Sequence, residues 1–514
     1  MMGRRGFTLM ILLAGGVSAA GYLLLSRPAR EGYQPIQPTR LFEQVFSHVR
    51  RFGVDSLPES DLYRLAANGL LGELDDEYAT LLQQGSEAGL TETADVGGMG
   101  LLLAARDGRI SVLSVLPGSS AELVGLAPGD QLVGVNDTQL DAGRRDQVLA
   151  ALSGPAGSLA QVRVRRPGIG PLTFPVERSQ PRRSLVQPAR KLDNRVGYVA
   201  VRLLGPGAAR SVRQGVEQLF EDGAQGLILD LRGASQGALD EGVALADLFL
   251  DPGAKLMELR GRAPEPRRWG DDQPQDRRMS GLAVVVLIDS TTADAAEITA
   301  GALQDNDRAL LLGQPSFGRG LSAETFPLTE KMIVRISTGR WFTPTGRPIQ
   351  RDTATSDTLE QRPRVSTARG RSVYAGGGIV PDSLVGRDTL PTTEQAFLRA
   401  VGSQFPVWRS VVSSVARLLV AGAANPEPGI VSSEARARLR AALDSAGLVV
   451  PDDTWNHAGP ALDQRLGDEM VRLARGEDAL LARRLRRDPV VRRAMGLLHA
   501  ARSPIALVMG TGER

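Results

Sequence analysis

Apolar residues recur along this chain with two alternating spacings, and the spacings predict most of its elements. Leu41, Val45, Phe46 and Val49 are spaced as on a helix, and a second helical stretch runs from Leu62 to Leu74. Further on, short apolar runs alternate with longer amphipathic ones. Residues 197–204, 226–232, 282–288, 309–312 and 331–338 read as strands, and 209–220, 242–250 and 293–304 as helices. Leu282-Ala-Val-Val-Val-Leu-Ile288 has no polar position, the pattern of a strand buried on both faces. Strands alternating with helices predict an α/β core whose sites lie where strands end and helices begin. Residues 352–373 read as a polar loop. The end of the chain turns helical over 434–446, with Ser433 as N-cap and Gly447 as a stop, and over 463–485. This tail reads as a helical appendage used for packing or assembly.

The N-terminus carries a different pattern. Arg4-Arg5 precede an apolar run from Phe7 to Leu25, nineteen residues, about enough to cross a bilayer. The arginines favour an N-in orientation, with the bulk of the chain outside the cytoplasm. The reading is an uncleaved anchor, because apolar residues continue through Tyr22-Leu-Leu-Leu25. A signal peptide cleaved near Val17-Ser18-Ala19 competes, giving a secreted protein. Gly6-Phe-Thr-Leu9 also has the look of a prepilin cleavage site, but Ile11 stands where pilins carry Glu. Pro- and Arg-rich residues 26–40 form a linker.

Composition narrows the chemistry. The 514 residues predict two to four domains. Lys and Arg total 61 against 58 Asp and Glu, a formal charge of +3, too small to argue for nucleic acid. The late basic stretch, Arg483-Arg484 to Arg486-Arg487 with Arg492-Arg493, reads as a solvated helical face. With no cysteine, disulfides, thiolate metal sites and a Cys nucleophile are excluded. His48, His457 and His499 are the only histidines, all far in sequence from residues 290–320, so a Ser-His-Asp triad there has little to work with.

Two motif groups carry the functional reading. In the first, Gly97-Gly-Met-Gly-Leu-Leu-Leu103 is followed by Val112-Leu-Ser-Val-Leu-Pro-Gly-Ser-Ser-Ala-Glu122 and Gly125-Leu-Ala-Pro-Gly-Asp-Gln-Leu-Val-Gly-Val-Asn136. This order resembles a PDZ domain over 96–178. The resemblance implies that Gly97, Gly98, Met99 and Gly100 cradle a terminal carboxylate, while Leu101 and Leu102 open an edge strand that takes a peptide by β-augmentation. A PDZ-shaped domain that only packs against its neighbour is the alternative.

In the second, Asp289-Ser-Thr-Thr-Ala-Asp-Ala-Ala-Glu-Ile-Thr-Ala-Gly-Ala-Leu-Gln-Asp305 leads without a gap to Ser316-Phe-Gly-Arg-Gly320, then to Gly339-Arg-Trp-Phe-Thr-Pro-Thr-Gly-Arg-Pro-Ile-Gln350 and Gly376-Gly-Gly-Ile-Val-Pro-Asp382. These motifs resemble the C-terminal processing (tail-specific) peptidases, a family of PDZ-containing Ser–Lys serine peptidases. The resemblance covers about Leu62 to Asp382. It implies a mixed α/β, multidomain fold, with a crotonase-like or ClpP-like α/β peptidase core and an inserted PDZ domain. The expected layout is an anchor at 1–28, linker and helical segment at 29–95, PDZ at 96–178, core at 179–388 and a helical C-terminal domain at 389–514.

The family's catalytic positions fall on the wrong residues. Its nucleophilic serine corresponds to Asp294 and its lysine base, 25 residues later, to Arg319. The glutamine that orients the lysine corresponds to Ala323. In the oxyanion loop, Asp230-Leu-Arg-Gly-Ala-Ser-Gln-Gly237, the glycine pair is Gln236 and Gly237. Asp294 has no hydroxyl, and a guanidinium stays protonated at any working pH. The family brings these two positions within hydrogen-bond reach, so a buried Asp294–Arg319 salt bridge is expected, bidentate where geometry allows. The alternative role for Asp294 is an acid favoured by the helix dipole. No cofactor is expected, and an arginine beside the carboxylate argues against a metal. The resulting expectation is a catalytically silent binder of protein C-terminal tails, an adaptor or scaffold. Alternatives are an endopeptidase with a rearranged nucleophile, drawn from Ser290, Thr291, Thr292 or Ser322, and a structural subunit that self-associates or assembles with an active relative.

Overall fold

The computed structural model describes residues 38–74, 76, 78–83, 99–106, 109–115, 119–140, 145–178, 185–235, 237–262, 265–270, 279, 281–329, 332–351, 358–386, 392–422 and 429–510. The apolar run at 7–25, Gly97, Gly98 and Gln236 lie outside these residues. Among the described residues no helix is long and apolar enough to cross a membrane. The chain divides into two compact units, residues 1–81 and 82–514. In the first, α1 (Pro38–Phe52) and α2 (Glu59–Gly72) are joined by stacking of Phe46 on Tyr63 at 4.4 Å.

The second unit begins with an antiparallel sheet in the order β1 (Leu101–Arg106), β2 (Arg109–Val115), β3 (Gln131–Val135), β4 (Leu159–Arg166) and β5 (Gly170–Glu177). Helices α3 (Ser120–Val124) and α4 (Arg145–Leu152) accompany it. Along β4 and β5 burial alternates strictly, so Val162, Val164, Leu172 and Phe174 face inward. The Gly-Asp turn at 129–130 is pinned from within. Asp130 accepts the amide of Ala127 at 2.9 Å and pairs with Arg166 through two bonds of 2.6 and 2.7 Å.

A predominantly parallel sheet forms the main core. Its strands run β14 (Ser383–Leu384), β11 (Leu310–Gly313), β10 (Ala283–Ile288), β7 (Gly226–Asp230) and β6 (Val196–Ala200), with Arg190–Lys191 antiparallel at the end. The period of two in each strand assigns the faces. Val199, Leu229, Val284, Val286 and Leu311 point to one side, against α5 (Ala208–Glu221), α6 (Leu239–Asp247) and α7 (Ala295–Asp305). At the α6–α7 crossing a side chain at Gly242 would sit 2.4 Å from the Ala295 carbonyl, so the close approach needs glycine there. A second, antiparallel sheet places β8 (Lys255–Gly261) between β9 (Arg267–Gly270) and β13 (Met332–Phe342), and β12 (Leu321–Pro327) pairs with β13 as well.

The tail does not behave as the appendage its sequence suggests. Its helices are α8 (Thr392–Val401), α9 (Phe405–Ala421), α10 (Ser433–Ser445), α11 (Asp452–His457), α12 (Gly459–Arg487), α13 (Pro489–Ala500) and α14 (Pro504–Met509). Phe397, Phe405, Trp408, Leu439 and Leu462 share one core with the β1–β5 sheet, where Phe174 meets Phe405 edge-on at 5.8 Å. Leu485, Val490, Val491, Ala494 and Leu498 cover the other face of the parallel sheet, against Tyr198, Ile228, Val285 and Leu312. Helix α12 reaches both cores, its two halves meeting at Gly476 (φ 82°, ψ −179°). Small corrections follow for α10. It starts at Ser433, and Ser432, not Ser433, is the N-cap, its hydroxyl accepting from the Ala435 amide at 3.1 Å.

Candidate functional site

Three loops at the C-terminal ends of the parallel strands are stitched together. The turn after β10 is closed by Asp289, whose carboxylate accepts from the amides of Thr291 and Thr292 and from the Thr291 hydroxyl at 2.6 Å. Thr292 donates its hydroxyl to the Leu231 carbonyl, and the Ala293 amide donates to Ala234, which ties this turn to the loop after β7. The Phe317 amide donates to the Thr292 carbonyl at 2.9 Å and so brings in the 316–320 loop.

Asp294 sits at the apex, one residue before α7, with φ 54° and ψ −125°. A residue with a side chain pays about 1–3 kcal/mol for such a conformation. Strained strand-to-helix turns of this kind lift a nucleophilic side chain clear of its neighbours. The turn therefore keeps a nucleophile's backbone, while the side chain is a carboxylate. Asp294 makes no capping hydrogen bond to α7. Its Oδ2 lies 3.3 Å from Nη1 of Arg319. Arg319 is 3% exposed and Asp294 24%, so the cation is buried and the anion reaches solvent. The guanidinium also lies over the Phe317 ring at 5.0 Å.

What holds Arg319 in place is Glu297, whose role its sequence position does not reveal. It is fully buried in the first turn of α7. Its carboxylate accepts from the Gly318 amide at 2.7 Å, the Arg319 amide at 2.8 Å and the Ser316 hydroxyl. Burial pushes its pKa up to about 7, against the pull of those three donors. Ser316 Oγ in turn accepts from the Ile379 amide at 2.6 Å. Gly318 (φ 88°) allows the loop to pass Arg351 and Gly378, where a Cβ would come within 2.7 Å of Arg351 Cβ. Gln350 Oε1 accepts from the Gly320 amide at 2.8 Å. The four sequence motifs thus converge on one loop.

The remaining predicted positions are spread around this centre. Ala323 stands on β12 just past a register shift, opposite Ser337, and its methyl group can orient nothing by hydrogen bonding. Gly237 bridges in parallel to Leu204, and a Cβ there would meet Leu204 Cβ at 2.3 Å, so the glycine serves backbone packing. In the other sheet, Leu101 pairs with Val115, and the Met99 carbonyl accepts from the Ala121 amide at 3.0 Å. The side chains of Met99 and Leu101 are fully buried, so these residues can offer a peptide only their backbone. β1 is the edge strand of its sheet, as β-augmentation requires.

Comparison with known proteins agrees with this geometry. Residues 195–359 match peptidase family S41, and 111–166 match the PDZ domain. The carboxy-terminal processing protease CtpA of Bacillus subtilis is 27% identical over 288 residues, 56% of this chain. The chain spans 61% of that relative's length. The carboxyl-terminal-processing protease of Synechocystis is 29% identical over 313 residues, covering 59% of this chain and 72% of the relative. Among solved structures, the photosystem II D1 C-terminal processing protease superposes with a TM-score of 0.54 at 25% identity, over 70% of this chain and 90% of that one. The PDZ sheet, the α/β core and the four motifs converging on the 316–320 loop are thus features that this chain shares with the C-terminal processing peptidases, which it resembles over these segments.

Proposed function

We propose that this protein binds protein C-terminal tails without cutting them, as an adaptor or scaffold held at the outer face of a membrane by residues 7–25. The observation that carries this reading is the Asp294–Arg319 pair. Acyl transfer by a Ser–Lys dyad needs a hydroxyl nucleophile and a base that can lose its proton. A carboxylate attacking a peptide would form a mixed anhydride while expelling an amine, an uphill step. Arg319 cannot accept the proton, because guanidinium stays charged.

The neighbouring hydroxyls do not favour a rearranged peptidase. Thr291 Oγ1 donates to Asp289 and Thr292 Oγ1 to the Leu231 carbonyl, so both are committed to the turn. The edge strand β1 and the backbone-only presentation of Met99 and Leu101 support retention of tail binding. A fluorophosphonate probe for activated serines is expected to leave the protein unlabelled. Stoichiometric labelling at Ser290 or Ser322 would overturn the reading.

A further inference from the structure

Helix α1 leaves an apolar stripe in water. At about 100° per residue, Leu41, Phe42, Val45, Val49 and Phe52 fall within an arc of about 100°. Each is exposed, from 49% at Val49 to 69% at Phe52. Phe46, at the edge of the arc, is half-buried and stacks on Tyr63, so the contact with α2 uses a neighbouring face. Single exposed apolar residues are ordinary, whereas a contiguous stripe of this kind marks an interaction surface. The opposite arc is polar and basic. It carries Arg40, Arg50 and Arg51 with one acid, Glu43. Arg50 meets Glu59 at 3.3 Å with both side chains more than half exposed, a pair that water or a lipid phosphate can replace. Arg51 lies over the Phe52 ring at 5.6 Å, at the C-terminal end of the stripe.

Charge and position along the chain say what covers the stripe. Residues 26–52 hold five arginines and two glutamates, a net +3, equal to the formal charge of all 514 residues. Twelve residues separate Leu25, the end of the apolar run, from Pro38, the start of α1. A chain of that length spans at most about 40 Å. A run held in a bilayer would therefore keep α1 close to its surface, at high local concentration. A helix with leucine and phenylalanine on one face and arginines on the other suits the plane of such an interface. Its apolar side enters the upper acyl chains and its cations meet anionic headgroups. A second copy of the chain is a poorer match. Two such helices would bring like charges together, and fifteen residues make about two heptads where a coiled coil needs at least three or four.

We propose that α1 is an interfacial helix lying on an anionic lipid surface, its apolar stripe in the membrane and Arg40 and Arg51 on headgroup phosphates. The proposal rests on the anchor reading of residues 7–25 for its tether, and gives the neighbouring segment a lipid contact of its own.

The chain has no cysteine, so a single introduced one carries a unique label. Full-length Val45→Cys and Ser47→Cys, each labelled with an NBD fluorophore, place the probe on the stripe and on the polar arc, both at exposed positions. In vesicles of two parts phosphatidylcholine to one part phosphatidylglycerol, the probe at 45 is expected to shift to the blue. A shallow doxyl lipid is expected to quench it at least about threefold more than the probe at 47. Phosphatidylcholine alone, or Arg40→Gln combined with Arg51→Gln, is expected to lower that quenching about threefold. A chain that stays on the vesicles while the probe at 45 remains in water would overturn the interfacial helix and leave the anchor in place. Release of the chain by Val45→Asp would support the helix and overturn the anchor reading, since residues 7–25 would then not hold the chain. A blue shift without lipid that grows with protein concentration would assign the stripe to a second copy and overturn the proposal. A chain that never associates with vesicles would overturn both readings.

Discussion

Asp294→Ala is expected to destabilise the folded chain by about 3–5 kcal/mol, the usual consequence of leaving one member of a buried ion pair without its counter-charge. The two partners are not equivalent. Arg319 is 3% exposed, so its guanidinium cannot recover the lost carboxylate's contribution from water. Alanine is also a poorer occupant of the positive φ at position 294 than aspartate. Removing the cation is predicted to be milder. Arg319→Met keeps the stem over Phe317, and the stranded Asp294, 24% exposed, can be hydrated. A cost nearer 1–2 kcal/mol is expected there, within the range for leaving a polar group unsatisfied. Urea unfolding of both variants measures the difference. Two values within error of the wild type would show that the pair is not coupled as described, and equal losses would contradict the asymmetry between its partners.

Ending the chain at residue 390 is expected to abolish folding. The truncation uncovers two surfaces at once. The PDZ sheet loses Phe397, Phe405 and Trp408, the last 1% exposed and packed edge-on against Phe397 at 4.8 Å. The parallel sheet loses the cover of Val490, Val491, Ala494 and Leu498, exposing Tyr198, Ile228, Val285 and Leu312. Burial of each large side chain contributes about 1.5–3 kcal/mol, and domains are stable by only about 5–15 kcal/mol in total. The expected outcome is an insoluble chain, or one without a cooperative thermal transition by circular dichroism. A cooperative melt near that of the full chain would contradict the shared cores. For the same reason the PDZ segment is not a free-standing module: Phe174, buried against Phe405, would face water.

How much of this could be read in the sequence depends on the kind of signal. The strand at 282–288 announced its double burial because it has no polar position, and the structure buries every residue of it. The site's spacing was legible because strand-to-helix turns need particular residues at fixed distances; Asp294 and Arg319 do meet. The C-terminal helices were legible as helices but not as cover. An amphipathic stripe declares that a face will be buried without naming its partner, and here α12 serves two cores. Glu297 was visible only as a motif letter. Its function depends on three donors from a loop about twenty residues later, a relation that exists only once the chain has folded. Nor could the sequence disclose that Asp294 adopts φ 54°, since glycine would have been the ordinary signal for that conformation.

The central claim is that the family's shape persists at this site while its chemistry has been replaced by an ion pair. The most direct test is to incubate the full chain with an unstructured polypeptide bearing a free aliphatic C-terminus and to follow the intact mass by mass spectrometry. The same samples would be assayed for complex formation. Binding with an unchanged substrate mass is the predicted result. The stepwise appearance of shortened products, absent when Asp294→Ala protein is used instead, would show that the site still hydrolyses peptide bonds and would contradict the account.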